Sequence, residues 1–367
     1  VQKIKVLVVA ASVTMRKQIS NLISEDSSLE VIGVARNASE AISMVQKLRP
    51  DVVAIDIEMP ELNGLVALTS IMSQRPTPIL ILSSATKDGI TATITALQNG
   101  AVDFISKPAQ SYGPGLYSIK DELLFKIKKA AEIPLRTLIL NNINISKVKA
   151  RQEKQNNVKS GCTEVIEQIV GIGCGVGGPK ALEILISSLP ASFPYPLLVV
   201  QHMPPKYTKA LAERLNRFSS VRVVEAKDKQ SVLGGTVYIA PGNSHMTIIQ
   251  EGQDLRIKLM KKPAVNGHCP SVDILFESIS ALTGLQQHLI LMTGMGNDGA
   301  KGMLAAKHAG AQSTLVESQE TSIESEMPEA AAKLGCVDYE LPSHLLASKI
   351  MEVTGELRYR RDAFPSV

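Results

Sequence analysis

At 367 residues the chain is long enough for two domains, each with its own core. Apolar residues make up 44% and charged residues 20%, a balance that excludes a disordered or fibrous protein. The net charge of +4 is concentrated in residues 134–165, which sum to +4 while 1–133 sum to +1 and 166–367 to −1; with no folded basic face expected, nucleic acid is excluded as the main partner.

The chain opens on "VQKIKVLVV", too short an apolar run for a signal peptide and suited to a first strand. Four further Val/Ile/Leu-rich runs follow: "EVIGVA", "DVVAID", "TPILILS" and "VDFIS". They read as buried parallel strands, and between them lie amphipathic stretches such as "MRKQISNLI" and "ASEAISMVQKL". This alternation predicts a doubly wound α/β domain of flavodoxin-like type over 1–133. In such folds the site lies at the carboxyl ends of the strands, here Ala10, Ala11, Asp56, Ser83 and Lys107.

Residues 134–165 are rich in Asn, Lys and Gln without a sustained apolar period, and read as an interdomain linker, in part helical. The alternation resumes over 166–355 with "EQIVGIG", "YPLLVVQH", "VRVVEA", "TVYIAPG" and "HLILMTG" as strands. "PKALEILISSL" and "KYTKALAERLNRF" read as helices, and "TVYIAPGNSHMTIIQEGQDLRIKLM" suggests a β-hairpin arm. A second doubly wound α/β domain is expected, followed by a tail at 356–367. No run approaches 18 apolar residues, so no membrane insertion is expected. The cysteines (Cys162, Cys174, Cys269 and Cys336) lack CxxC spacing and read as reduced thiols, which places the chain in the cytosol.

The stretch "GIGCGVGGPK" at 171–180 admits two readings. Gly173, Gly175 and Gly178 satisfy the dinucleotide fingerprint between a strand and a helix. Its ribose-binding acid is missing, however, since the next strand ends in Gln201 and His202. Alternatively, Gly173, Gly175 and Gly177 frame the sharp turn that presents a nucleophile in hydrolases, with Pro179 suited to the first helical turn. Gly175 then stands where the nucleophile belongs, without a hydroxyl. His202, closing a buried strand, suits a general base, although a histidine there is as readily a structural hydrogen-bonding residue. Asp298, in the glycine-rich "LMTGMGNDGAKG", suits an acid that orients it, and amides near Met295 and Gly296 suit an oxyanion site. Cys174 points away from its neighbour on such a turn and is a poor substitute. His245, His268, His288, His308 and His344 show no metal-binding spacing.

The motifs "AIDIEMPELNG", "LILSSAT" and "FISKP" resemble the response-regulator receiver domain. "GIGCGVGGPKAL", "VVQHMPPKYT", "IAPGNSHM", "NGHCPSVDILF" and "LMTGMGNDGAKG" resemble the methylesterase domain of the CheB family, the chemotaxis protein-glutamate methylesterases. The resemblance implies hydrolysis of glutamyl methyl esters on methyl-accepting chemoreceptors, deamidation of certain glutamines, and control by a chemotaxis histidine kinase. No cofactor is implied for the hydrolysis, and Mg²⁺ is implied for the receiver. It assigns Asp56 as phospho-acceptor, Ser83 as switch hydroxyl and Lys107 as the phosphoryl-contacting lysine. It assigns His202 as base and Asp298 as orienting acid, and places His268 near the cleft. Two departures stand out. Ala10 and Ala11 occupy the positions of the metal-binding acid pair, and Gly175 and Val176 occupy those of the nucleophilic serine and a following threonine. The chain is therefore expected to bind Mg²⁺ weakly or not at all, to be phosphorylated poorly, and to be catalytically impaired; an active methylesterase is the alternative.

Overall fold

A computed structural model describes residues 3–60, 64–108, 114–140, 166–252 and 254–356. The chain divides into two compact units, 1–143 and 144–367. Most of the expected linker, 141–165, and all but the first residue of the expected tail lie outside the described residues, although residues 135–140 are helical.

The first unit alternates β1 (Ile4–Val9), α1 (Val13–Ser24), β2 (Leu29–Ala35), α2 (Ala38–Leu48), β3 (Val52–Asp56), α3 (Gly64–Gln74), β4 (Ile79–Ser84), α4 (Lys87–Gln98) and β5 (Asp103–Lys107). It then closes with α5 (Pro114–Tyr117) and α6 (Lys120–Glu132). The sheet is wholly parallel in the order β2-β1-β3-β4-β5. Every residue of β3 is buried, which is why these strands read as continuous apolar runs rather than as alternations. The helices start where short polar side chains turn back on the backbone. Ser12, Asn37 and Thr86 each accept an N–H from the first turn of α1, α2 and α4.

The second unit carries β6 (Gln168–Cys174), α7 (Gly178–Ser187), β7 (Leu197–Gln201), α8 (Tyr207–Phe218), β8 (Arg222–Glu225) and β9 (Thr236–Ile239). A hairpin of β10 (His245–Glu251) and β11 (Asp254–Met260) follows. The chain continues through α9 (Val272–Ser280), β12 (Gln286–Leu291), α10 (Ala300–His308), β13 (Ser313–Glu317), α11 (Glu326–Lys333), β14 (Tyr339–Leu341) and α12 (Ser343–Val353). Seven parallel strands run in the order β14-β13-β12-β6-β7-β9-β8. The hairpin is narrower than the sequence suggests: β9 belongs to the main sheet, and only β10 and β11 pair antiparallel, from His245 opposite Met260. From β6 the chain winds one way to β7 and, after the hairpin, returns to the other side as β12. The switch point of this sheet therefore lies between the carboxyl ends of β6 and β12, where open α/β sheets form their clefts.

The core behind that edge includes Leu198, Val200, Tyr238, Leu275, Phe276, Leu289 and Leu291. A buried polar group joins the central strands beside it. His288 on β12 is fully buried, its Nε2 bonded to Gln168 Oε1 at 2.9 Å and its Nδ1 to Ser313 Oγ at 2.8 Å, which ties β12 to both neighbours. Burial drives its imidazole from 6.5 down to about 4. A histidine depressed in the folded state stabilises it fully above the unfolded value, and that stability is lost as pH falls from about 6.5 through about 4. We expect the second unit to lose on the order of 3 kcal/mol over this interval on account of His288. In His288→Gln, calorimetric melting at a series of pH values should show a lower but flatter profile. An unchanged slope would contradict this assignment.

Candidate active site

The strand β6 ends in a turn whose glycines serve different ends. Gly177 has φ of 80°, a left-handed conformation that a side chain strains, and a Cβ there would also meet Ile323 at 2.7 Å. Gly173 sits under α9, where a Cβ would lie 2.2 Å from Val272 Cγ1. At Gly178 a Cβ would lie 2.1 Å from Gln201 Oε1. Gly175 is unlike these: its φ lies outside the left-handed region. An added Cβ would meet Gly294 Cα at 3.0 Å, His202 Nδ1 at 3.3 Å and Met295 N at 3.5 Å. Neither conformation nor a severe clash compels glycine at 175.

The turn is tied on both sides. The Gly175 N–H donates to the Thr293 carbonyl at 2.8 Å, and Gln201 Nε2 donates to the Gly175 carbonyl at 2.8 Å. Thr293 Oγ1 donates to the Val176 carbonyl at 2.8 Å, and the Thr293 N–H is in turn held by the buried Glu317 at 3.0 Å. Burial raises the Glu317 carboxyl to about 7 although the Thr293 N–H and the Thr321 hydroxyl oppose it. Gly294 permits the close approach, since a Cβ there would strike Met327 Sδ at 2.1 Å and Gly175 N at 2.9 Å.

His202 follows β7, its N–H donating to the Cys174 carbonyl at 3.0 Å, so its side chain projects toward the same edge. Its Nε2 lies 2.8 Å from Asp298 Oδ2, and its Nδ1 faces position 175. Asp298 is fully buried and also accepts from Ser271 Oγ at 2.7 Å, Val272 N at 2.7 Å and Asp273 N at 3.1 Å. Burial alone would raise its carboxyl. The bond and charge of His202 and the donors at the start of α9 outweigh that, and Asp298 is held below the usual aspartate value. An anionic acid on Nε2 fixes the tautomer, with the proton on Nε2 and the lone pair on Nδ1. The imidazole of His268 stacks on that of His202, centroids 3.8 Å apart and planes within 3°, and burial together with the His202 charge keeps it near 4 and hence neutral.

Asp273 is the reciprocal of Asp298. It lies in the first turn of α9, and its Oδ1 accepts from Gly299 N at 2.9 Å and Gly302 N at 2.7 Å, capping α10 just after Asp298. Its own carboxyl is raised by burial, with the neighbouring Asp298 adding to the rise. Of the amides expected at an oxyanion site, Gly296 N donates to Glu326 Oε2 at 2.7 Å, which leaves Met295 N as the one facing position 175. Cys174 is fully buried, its thiol donating to Gln201 Oε1 at 3.1 Å, and burial pushes it well above the ordinary thiol value. It offers no thiolate. His245 is buried too and orients the start of α9 by accepting from Ser271 N at 3.2 Å.

In the first unit, Asp56 ends β3 and Lys107 ends β5. Lys107 Nζ bridges Asp56 Oδ1 at 2.8 Å and Glu58 Oε2 at 3.0 Å. Burial would lower the ammonium, but the two carboxylates more than offset it and raise it. Ser83 Oγ donates to the Gly89 carbonyl at 3.0 Å. Ala10 is buried and Ala11 exposed at the end of β1, and Arg16 Nη1 donates to the carbonyls of both, at 2.6 and 2.8 Å. Among the described residues no group of three or more His, Cys, Asp or Glu is placed to hold a metal ion.

Comparison with known proteins identifies the family of the chain. The profile of the CheB methylesterase family matches residues 170–350, and that of the response regulator receiver domain matches residues 6–112. The protein-glutamate methylesterase/protein-glutamine glutaminase of Geobacillus kaustophilus is 40% identical over 96% of this chain and 99% of its own length. That of Pyrococcus abyssi is 40% identical over 97% of this chain and 95% of its own. The crystal structure of the Thermotoga maritima CheB methylesterase catalytic domain is 37% identical, with a TM-score of 0.50 over 52% of this chain and all of that one. A dinucleotide-binding reading is not favoured, because the strand that should supply its acid ends instead in Gln201 and His202, both bonded to the turn.

The glycines give a direct stability test. Gly175→Ala should shift stability by less than about 1 kcal/mol, whereas Gly173→Ala should lose about 1–3 kcal/mol through overpacking against Val272. Urea unfolding of the two variants checks this, and equal losses would mean that 175 is as constrained as 173.

Proposed function

We infer the function from the premise that this chain belongs to the CheB methylesterase family, and propose that it recognises the glutamyl methyl esters of methyl-accepting chemoreceptors while lacking the group that begins their hydrolysis. The observation that carries the reading is an intact base and orienting acid aimed at a residue with no side chain: His202 Nδ1 lies 3.3 Å from the Cβ position of Gly175. In a serine triad the hydroxyl attacks the ester carbonyl, the histidine takes its proton, and backbone amides steady the oxyanion. His202 fits the base, Asp298 the acid that orients it and Met295 N the oxyanion donor, but no oxygen stands at 175 to form the acyl intermediate. Loss of the serine from a comparable triad lowers turnover by about 10⁶, leaving roughly 10³–10⁴ over water.

The receiver reading is parallel. Mg²⁺ takes a near-octahedral set of oxygens, commonly with one or two carboxylates. Ala10 and Ala11 supply no side-chain oxygen, their carbonyls accept from Arg16, and Asp56 and Glu58 share Lys107. These residues do not fit the ion, and we propose that Asp56 is a poor phospho-acceptor. Chemoreceptors and a chemotaxis histidine kinase are the partners this reading implies, and the cytoplasm is the compartment. No helix among the described residues is long and apolar enough to cross a membrane.

Two measurements check these readings. On methylated chemoreceptor, methanol release should be negligible for the parent chain and measurable for Gly175→Ser and for Gly175→Ser/Val176→Thr; equal rates in all three would defeat the proposal. Titration of the chain with Mg²⁺, followed by NMR, should show no saturation in the millimolar range, and Ala10→Asp/Ala11→Asp should restore it. Micromolar-to-millimolar affinity in the parent would count against the receiver reading.

A further inference from the structure

Two features of His202 bear on chemistry beyond a lost activity. Its side chain is nine-tenths buried, with 10% exposed, and its Nε2 is committed to Asp298. Its Nδ1 has no hydrogen-bond partner among the described residues, and it is aimed at the position where Gly175 carries only hydrogen. With Asp298 holding the opposite nitrogen, that lone pair is fixed in direction and placed to take a proton. The amide of Met295 borders the same position, 3.5 Å from where a Cβ would stand.

We propose that the His202–Asp298 pair activates a small free nucleophile stronger than water, an amine of the size of hydroxylamine, in place of a side-chain hydroxyl, so that this chain transfers glutamyl groups from methyl esters by a single displacement with no acyl-enzyme. This rests on the reading that 175 is the nucleophile position. With hydroxylamine, the nitrogen lone pair attacks the ester carbonyl while His202 Nδ1 takes an N–H proton, and the oxyanion forms against the Met295 amide. Collapse breaks the bond from carbon to methoxy oxygen, and the imidazolium returns its proton to that oxygen. The products are a glutamyl hydroxamate and methanol, with no redox change and no further reactant. A nucleophile that is not tethered must be bound and oriented afresh at each turnover, so this route is slower than one through a serine and rises with nucleophile concentration until the space is filled.

The test uses the full chain, methylated chemoreceptor and hydroxylamine near neutral pH, with hydroxamate measured by mass spectrometry of receptor peptides. The parent should form hydroxamate about 10²-fold faster than His202→Asn, with saturation in hydroxylamine. Gly175→Ala, whose methyl group would stand 3.3 Å from Nδ1, should slow the reaction several-fold while leaving the fold in place. Equal rates for the parent and both variants would overturn the proposal. Should Gly175→Ser hydrolyse the ester while the parent remains silent with hydroxylamine, the free-nucleophile route falls and the reading of position 175 stands. Silence in both chains would remove the two together.

Discussion

The second unit is organised around one carboxylate. Asp298 accepts four hydrogen bonds, from His202, the Ser271 hydroxyl and the first two amides of α9. It thereby joins three segments that are distant in sequence: the end of β7, the start of α9, and the turn between β12 and α10. A fully buried carboxylate is tolerated only where charge-assisted donors replace water, and here those donors are the unpaired amides of a helix start. The same bonds that make the ion affordable also set the tautomer of His202. Structural stability and the direction of the base are consequently one constraint.

Around that constraint the backbone leaves little slack. Gly177 is needed for its conformation, Gly173 and Gly178 for the space above them, and Gly294 so that the turn after β12 can lie against the turn after β6. Gly175, framed by these, is required by neither criterion. A Cβ at 175 would meet Gly294 Cα at 3.0 Å and His202 Nδ1 at 3.3 Å, so the turn admits a small side chain once these neighbours give by a few tenths of an ångström. In the first unit the end of β1 is the corresponding bare place. The parallel sheet, the strand-end Asp56 and the lysine bridge are all in place, while the end of β1 offers two methyl groups and Arg16 secures their carbonyls.

Much of this was legible in the sequence, for a physical reason. Parallel strands buried on both faces give uninterrupted Val/Ile/Leu runs, so all five strands of the first sheet and five of the second could be read directly. β13 and β14 were missed: "STLVE" has only two large aliphatic residues, and β14 is three residues at a sheet edge. The hairpin was drawn too wide because β9 runs into β10 through a short turn without an apolar break. At the site, His202 stood out as a base closing a buried strand and Asp298 as an acid in a glycine-rich turn. Glu58, Asp273, Thr293 and Gln201 did not, because each acts by bonding to a group that only the fold brings near. Ser271 and Asp273 carried a faint signal, since "SVDILF" is a capping residue followed by an acid and an apolar helix face. The fate of Gly296 could not be foreseen, because the carboxylate that takes its amide arrives from Glu326 on α11.

The exchange of caps between α9 and α10 has an electrical consequence. Asp298 takes the first amides of α9 and Asp273 takes those at the start of α10, so each helix start is held by a carboxylate from the other segment. Removing either carboxylate would leave the amides of the opposite helix start unpaired in a buried place, so the two helices hold their positive ends quiet only as a couple.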